Sequence, residues 1–215
     1  MIKVINETDF PAGLKTKATI KLIDDVNTVI FGQQLDSIYG YKDFSKLTEG
    51  DVLKVFEMKT SAYTIQGPMH LGAILAGATE NDLAALDSFA VPLGKAFQLT
   101  DDVIGTFGSE EKTGKSADSD LKEGKRTILV LYSLKNGSEQ QKKIMLKVLN
   151  NAHASKEECD AARKVLTDTG AVDYSKKMAE KFKNEALDAM MKTTYNNDAK
   201  QFLIELAEYI VAREK

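Results

Sequence analysis

Polar side chains interrupt apolar helical stripes of this sequence at positions where core residues are expected. In the first long helical segment, Leu22, Val26 and Val29 mark one apolar face. The next positions on that face are Gln33 and Asp36. We therefore expect an amide and a carboxylate to point along the core side of this segment.

A lysine and two aspartates interrupt two further stripes. Lys59 falls inside the apolar stripe of the second predicted helix, over 48–66. Asp101 falls on the apolar face of the fourth predicted helix, over 80–106. Gln98 and Asp102 stand at helical neighbour positions of Asp101. Two glycines, one on either side of Asp101 along the same helix, are expected to leave room for a ligand: Gly94 and Gly105.

These groups together indicate one polar cavity in a helical bundle. Asp and Gln oxygens without a converging His or Cys favour a hard cation such as Mg²⁺, which bridges carboxylates to substrate phosphates, and disfavour zinc. Basic side chains can supply further positive charge to the outer phosphate oxygens. The expected ligand is a diphosphate ester with an apolar tail, and the cations available to it are Lys59, Lys115, Lys125 and Arg126.

Simpler interpretations of the same residues stay open. Lys59 could extend its ammonium to solvent, Asp36 could lie beyond the buried part of its helix, and Asp101 with Asp102 could be a solvated pair. A nucleotide P-loop is excluded for GSEEKTGKS at 108–116, because its glycines are one residue too far apart and no strand precedes it.

The elements that position these residues are helices. Only three prolines, few alternating β-branched runs and recurrent spacing of apolar residues by three or four predict an all-α protein, with one domain over 1–215. Capping pairs mark three helix starts at Thr48/Asp51, Thr79/Asp82 and Ser155/Glu158. The predicted helices cover 14–39, 48–66, 69–77, 80–106, 126–135, 139–150, 156–168, 172–193 and 198–213.

Composition excludes several classes of protein. The 215 residues carry 29 Lys+Arg against 32 Asp+Glu, so there is no basic excess for nucleic-acid binding. Cys159 is the one cysteine, which excludes an intrachain disulfide and fits a reducing, cytoplasmic location. The longest apolar run, Ile128 to Tyr132, is too short to span a membrane.

Five segments carry a resemblance to a known family. GQQLD (32–36), MKTSAY (58–63), LGAILAGA (71–78), LGKAFQLTDDVIGTFG (93–108) and TGKSADSDLKEGKRT (113–127) follow one another in order and spacing. The chain thereby resembles the later part of the trans-type isoprenyl diphosphate synthases, the polyprenyl synthetase family, and in particular its short-chain members. The resemblance is strong from Leu22 to Thr127 and weaker beyond.

This resemblance implies a Mg²⁺-dependent condensation of an allylic diphosphate with isopentenyl diphosphate, by a helical bundle that acts as a homodimer or as a heteromer. It implies Lys59, Asp101 and Lys115 as catalytic residues. It implies substrate contacts by Gln33, Thr60, Gln98 and Lys125. The implied metal ligands are Asp101, Asp102 and Asp36.

Two departures from the family pattern keep alternatives open. Gly105 stands at the fifth position of the second aspartate motif, where the family often has Asp. The first aspartate motif is expected upstream of GQQLD and is not found there, while Asp24 and Asp25 are interpreted as a helix-surface pair. The alternative function is therefore a half-site subunit that acts with a partner carrying the first motif. An ionisation-only enzyme such as a terpene cyclase is a third possibility.

Overall fold

A computed structural model describes residues 1–108, 114 and 116–213, and within these residues the structure is helical, without strands. The all-α prediction is thus confirmed. A short 3₁₀ turn covers Phe44–Lys46, and a π-helix covers Phe56–Gln66. The α-helices are α1 Ile2–Glu7, α2 Ala12–Tyr41, α3 Glu49–Val55, α4 Gly67–Leu75, α5 Glu80–Phe107, α6 Ser119–Lys122, α7 Ile128–Asn136, α8 Glu139–Val148, α9 Lys156–Asp168, α10 Ala171–Met191 and α11 Asn197–Ala212.

Side-chain caps set three helix starts, as the sequence predicts. The Thr48 amide donates to Asp51 Oδ2 at 2.8 Å, and the Asp51 amide donates to Thr48 Oγ1 at 3.1 Å. Each cap satisfies amide groups that the first turn of a helix leaves without partners. The other two predicted caps, Thr79/Asp82 and Ser155/Glu158, form in the same way.

The helical run from α3 to α4 is continuous, and its middle is a π-helix. The sequence predicts a break after residue 66, but Pro68 lies in the first turn of α4, where its missing N–H is tolerated. Lys59 and Thr60 lie on the π-helix. π-Helices are rare in proteins, and those that do form are often found at functional sites.

The chain divides into two compact units, each with its own core. Unit 1 comprises Met1–Leu35, Lys54–Lys95 and Phe182–Tyr209, and unit 2 comprises Asp36–Leu53, Ala96–Lys181 and the residues from Ile210 onward. The core of unit 1 includes Ile5, Ala18, Ile74, Leu83 and Leu86. In unit 2 the core includes Leu121, Leu129, Met145, Val148, Cys159 and Leu166. One domain over 1–215 stays a prediction.

The buried face of α2 differs from the predicted one. Its buried residues are Ala18, Asp25 and Gly32, whereas Val26 is 50% exposed. Apolar residues of α2 occur on every side of the helix, so periodicity alone does not identify the side that faces the core. The surface interpretation of Asp25 is likewise wrong, because Asp25 is buried and pairs with Lys21 one turn away.

Among the described residues, no helix combines the length and the apolar character that crossing a membrane requires.

Candidate functional site

A buried carboxylate lies at the centre of the polar cluster in unit 2. Asp102 on α5 is 1% exposed, and its Oδ1 accepts hydrogen bonds from Gln98 Nε2 at 2.8 Å and Lys125 Nζ at 2.9 Å. Its other oxygen, Oδ2, is buried and has no hydrogen-bond partner among the described residues. Because a buried unsatisfied acceptor costs about 1–3 kcal/mol, this oxygen is a candidate ligand for a cation.

Lys125 joins two carboxylates of this cluster. Its ammonium donates to Asp102 at 2.9 Å and to Asp120 Oδ2 at 3.2 Å. The turn after α6 permits this approach, since Gly124 adopts a positive φ of 64°. Burial disfavours the charge of Lys125, but attraction to the two carboxylates outweighs burial and raises its pKa. Lys125 is therefore a cation at neutral pH.

Asp101 is the more exposed of the two adjacent aspartates. Its side chain is 44% exposed and forms an ion pair with Arg213, whose guanidinium lies 4.1 Å from the centre of the Phe97 ring. The sequence predicts Asp101 on the inner face and Asp102 beside it, but Asp102 is the buried residue. The prediction is wrong because the buried side of a long helix depends on what packs against it at each level: Asp101 follows Leu83 by five whole turns on the same side of α5, yet only Leu83 is buried there.

Three predicted site residues lie in unit 1. Gly32 on α2 packs against the π-helix so closely that a Cβ atom there would lie 2.7 Å from the Lys59 amide nitrogen. This contact brings the start of the GQQLD segment onto the backbone beside Lys59 and Thr60. Gln33, Lys59 and Thr60 each have a polar or electrostatic interaction of their own.

The two glycines beside Asp101 do not leave open space. A Cβ on Gly94 would lie 2.5 Å from Ser61 Cα, so this glycine allows α5 to pack against the π-helix. Ser61 Oγ donates to the Val91 carbonyl at 3.3 Å across the same contact. At Gly105 the space is taken by Asp120 Oδ2, 3.1 Å from the Cβ position. The prediction that Gly94 and Gly105 leave room for a ligand is therefore wrong for both.

Arg126 is not available to a phosphate group. It is 7% exposed, and its guanidinium donates to the carbonyl oxygens of Tyr39 at 3.0 Å and Gly40 at 2.7 Å. These carbonyls lie in the last turn of α2, where helices leave acceptors without partners. Arg126 thus caps α2, and the prediction that it faces substrate is wrong.

The predicted site residues are distributed over both units. Gln33, Lys59 and Thr60 lie in unit 1, whereas Asp36, Gln98, Asp101, Asp102 and Lys125 lie in unit 2. The structure brings Gln98, Asp102 and Lys125 into direct contact. Lys115 lies outside the described residues.

Two charged residues of the cluster are missing from the sequence-based prediction. Asp120 belongs to the DLKEGK segment that ends in Lys125, and this proximity could have indicated it. Arg213 lies more than a hundred residues from Asp101, and no local pattern connects the two.

The oxygen donors of unit 2 fit a magnesium ion. Within the described part of the chain, no three His, Cys, Asp or Glu side chains form a ready-made metal cage. Mg²⁺ does not require one, because it keeps several waters and takes one or two carboxylates together with substrate phosphates. The Oδ2 of Asp102, which lacks a partner in the described ranges, is a candidate for this role.

Comparison with known proteins supplies an independent line of evidence. Residues 4–166 match the sequence profile of the Polyprenyl synthetase family. The chain is 34% identical over 208 residues to a geranylgeranyl diphosphate synthase of Sulfolobus acidocaldarius, covering 94% of this chain and 62% of the relative. It is 32% identical over 166 residues to a short chain isoprenyl diphosphate synthase of Methanocaldococcus jannaschii, covering 77% and 49%.

The fold has close counterparts among solved structures. A geranylgeranyl pyrophosphate synthase from Corynebacterium glutamicum, complexed with isoprenyl diphosphate and magnesium, aligns with a TM-score of 0.87 and 28% identity. The alignment covers 95% of this chain and 57% of that protein. The chain thus spans about three fifths of the length of such relatives.

Proposed function

Because the chain belongs to the polyprenyl synthetase family, we propose that it is a prenyltransferase of isoprenoid biosynthesis. The proposed reaction is the Mg²⁺-dependent condensation of an allylic diphosphate with isopentenyl diphosphate. We propose a cytoplasmic location as well, since a single cysteine fits a reducing compartment.

The environment of Asp102 is the observation that carries this proposal. Asp102 is 1% exposed, and one of its oxygens has no hydrogen-bond partner in the part of the chain that the structure describes, while the other is held by Lys125 and Gln98. A buried carboxylate of this kind is stabilised when a cation binds the remaining oxygen. Asp101, half-exposed on the same turn of α5, would hold the ion with it after separating from Arg213.

Each remaining site residue receives a role from the family resemblance. We propose that Lys59, Lys115 and Lys125 contact the diphosphate and that Thr60, Gln33 and Gln98 line its site. Asp36 is proposed to order metal-bound water. A Mg²⁺ ion held by these residues would supply positive charge to the departing diphosphate. The lysines add fixed positive charge to the same leaving group, which lowers the barrier to its departure.

The first experiment measures product formation and ligand binding on the same preparation. The full chain is incubated with radiolabelled isopentenyl diphosphate, an allylic primer and Mg²⁺, and the extracted product is counted. Calorimetry with inorganic pyrophosphate and Mg²⁺ reports binding. We expect Asp102→Asn to lower both turnover and Mg²⁺-dependent pyrophosphate affinity by at least about tenfold.

Asp168→Asn is the matched control, because it removes the same charge from a carboxylate of unit 2 that is 44% exposed and pairs with Lys164 on the surface of α9. This variant is expected to behave like the wild type. Equal turnover and equal pyrophosphate affinity in Asp102→Asn and Asp168→Asn would contradict the site. Absence of both product and Mg²⁺-dependent binding in the wild type would contradict the function.

A second candidate function is a half-site subunit of a heteromeric synthase, and the surface of α2 favours it. The exposed α2 face comprises Ile20, Ile23, Val26, Ile30 and Phe31, each between 46% and 58% exposed. These residues lie on one side of the helix, opposite its buried face. A contiguous apolar surface of this kind is typical of an interaction site.

We propose that the partner in this second candidate is a helical chain that carries the first aspartate motif. Native mass spectrometry of the purified chain, alone and after co-expression with a full-length synthase, measures the assembly. A 1:1 heteromer that Ile23→Glu/Ile30→Glu abolishes would support it. A self-sufficient homodimer that turns over substrate would exclude it, as would a heteromer that the double variant leaves intact.

A further inference from the structure

Side chains at both ends of the π-helix bind α5. Near the start of the π-helix, Glu57 Oε2 lies 2.9 Å from Lys95 Nζ. At its last residue, Gln66 Nε2 donates to Asp87 Oδ1 at 2.6 Å. Both pairs lie within unit 1. The π-helix and α5 therefore run antiparallel and are linked by two pairs of polar side chains.

Asp87 also contacts α4. His70 on α4 is 4% exposed, and its Nε2 lies 2.7 Å from Asp87 Oδ1, at an angle unsuited to a hydrogen bond. Because α4 continues the π-helix without a break, Gln66 and His70 stand on either side of the point at which the π-helix becomes an α-helix. One carboxylate on α5 thus holds both sides of this transition.

The two links to α5 fit a π-helix and do not fit an α-helix. Glu57 and Gln66 are nine positions apart. At about 3.6 residues per turn, nine residues make roughly two and a half turns of an α-helix, which would put the two side chains on opposite sides. The hydrogen bonds of a π-helix span five residues and give about 4.4 residues per turn, so nine residues make close to two turns and both side chains face α5. An α-helix would instead turn Thr64 toward Asp87.

The register of the π-helix determines the direction of two predicted diphosphate contacts. Lys59 and Thr60 lie between the two links. On the side of α2, the backbone at Lys59 is confined by Gly32, where a Cβ would lie 2.7 Å from the Lys59 amide nitrogen. A change of register between the links would therefore rotate Lys59 and Thr60 about the helix axis while their backbone stays against α2.

We propose that Asp87 is a positioning residue that fixes the π-helical register of Phe56–Gln66 and, through it, the direction of Lys59 and Thr60 toward the diphosphate. The inference rests on the proposed function, which gives Lys59 and Thr60 these contacts. The competing interpretation is that Asp87 only stabilises the fold. The two interpretations differ in whether ligand binding changes while the protein stays folded.

The experiment measures two properties of the full chain. Mass spectrometry follows amide hydrogen exchange in residues 56–66, and calorimetry follows the binding of inorganic pyrophosphate with Mg²⁺. Asp87→Ala removes the acceptor of Gln66, whereas Asp87→Asn keeps one carbonyl oxygen for it. We expect Asp87→Ala to accelerate exchange in 56–66 and to weaken pyrophosphate binding about tenfold, because a displaced contact loses its geometry. Asp87→Asn should restore most of both.

Asp82→Ala is the matched control on the same helix. The Asp82 carboxylate caps the first turn of α5 by accepting from the amide and hydroxyl of Thr79. Its loss should lower the melting temperature and leave both exchange in 56–66 and pyrophosphate affinity at wild-type values. Equal losses of pyrophosphate affinity in Asp82→Ala and Asp87→Ala would show that destabilising α5 is sufficient, and would overturn the role of Asp87.

Three further results would contradict the assignment of Asp87. The first is wild-type exchange in 56–66 for Asp87→Ala. The second is faster exchange there with wild-type pyrophosphate affinity, because the register would then not reach the ligand contacts. The third is an equal loss in Asp87→Ala and Asp87→Asn, which would exclude the link through Gln66.

Circular dichroism melts verify that the variants fold. If Asp87→Ala does not fold, Gln66→Ala replaces it and breaks the same hydrogen bond from the other side. Faster exchange in 56–66 and weaker pyrophosphate binding are again expected. Wild-type values of either property in Gln66→Ala would contradict the inference.

The wild type and Lys59→Ala distinguish this inference from the proposed function. Absence of Mg²⁺-dependent pyrophosphate binding in the wild type would contradict the proposed function, and with it the role of Asp87. Binding that is lost in Lys59→Ala and retained in Asp87→Ala would contradict the role of Asp87 alone.

Discussion

Replacing Arg126 tests whether two adjacent cations, Lys125 and Arg126, have different roles. The Arg126 guanidinium donates to four carbonyl oxygens, those of Tyr39 at 3.0 Å, Gly40 at 2.7 Å, Lys42 at 3.0 Å and Gly124 at 2.5 Å. It also lies 3.7 Å from the centre of the Phe44 ring. We therefore expect Arg126→Ala to destabilise the protein and Arg126→Lys to recover only part of the loss.

The magnitude follows from these contacts. A hydrogen bond from a charged donor contributes about 1.5–3 kcal/mol, and a cation on an aromatic face contributes about 0.5–1 kcal/mol or more. Three of the four carbonyls lie at the end of α2 and regain some water after truncation, so the contributions do not add. We expect a loss of about 3–5 kcal/mol for Arg126→Ala. An ammonium lacks the planar fork of a guanidinium, so Arg126→Lys should lose about 1.5–3 kcal/mol.

Urea denaturation gives the change in unfolding free energy, with an unchanged slope expected for both variants. Calorimetry with pyrophosphate and Mg²⁺, on protein that is folded at the start, separates the two roles. Arg126→Lys should bind pyrophosphate like the wild type, whereas Lys125→Met should bind it at least about tenfold more weakly. A wild-type urea midpoint in Arg126→Lys, or reduced pyrophosphate affinity in the folded variant, would refute the assignment of Arg126 to the end of α2.

Three further predictions concern helix packing, the pH dependence of stability, and the competition between Arg213 and a metal ion for Asp101. Gly94→Ala places a Cβ 2.5 Å from Ser61 Cα, so it should lower the unfolding free energy by at least about 1–3 kcal/mol in thermal melts; a wild-type melting temperature would show that the helices can separate freely. A hydrogen bond to a glutamate carboxylate raises the pKa of Tyr174 from 10.0 to about 12. Because the pKa of Tyr174 is higher in the folded than in the unfolded protein, this contribution to stability is present below pH 10 and lost between pH 10 and 12. The urea midpoint of Tyr174→Phe should therefore fall less with pH over that range than the midpoint of the wild type. Arg213→Gln removes the ion pair of Asp101 and should tighten Mn²⁺ binding severalfold in a calorimetric titration; weaker binding would mean that Arg213 positions Asp101 instead.

Local rules predict the helices well. The caps at Thr48, Thr79 and Ser155 form because each depends on groups within three residues of one another. The apolar stripe of the second predicted helix consists of Val52, Val55 and Ala62, which are buried, and Lys59 is half-buried. The exchange of α-helix for π-helix at Phe56 has no such local signal.

Helix faces are harder to predict than helix positions. On α2 apolar residues occur on every side, so the sequence does not distinguish the face around Gly32 from the face around Val26. On α5 the side that is buried at Leu83 is half-exposed five turns later at Asp101, and Asp102 is buried instead. Both errors concern rotation about a helix axis, which only the packing partner determines.

The sequence alone therefore determines that the chain is all-α. It also determines which residue types are available, namely an acid-rich turn on one helix and lysines at fixed spacing after it. Tertiary structure decides which of them meet. It puts the Asp120 carboxylate into the space at Gly105, and it turns Arg126 toward carbonyls as many as 87 residues away. The physical reason is range, because caps and periodicity act over a few residues, whereas burial and ion pairing depend on contacts between helices that are distant in the chain.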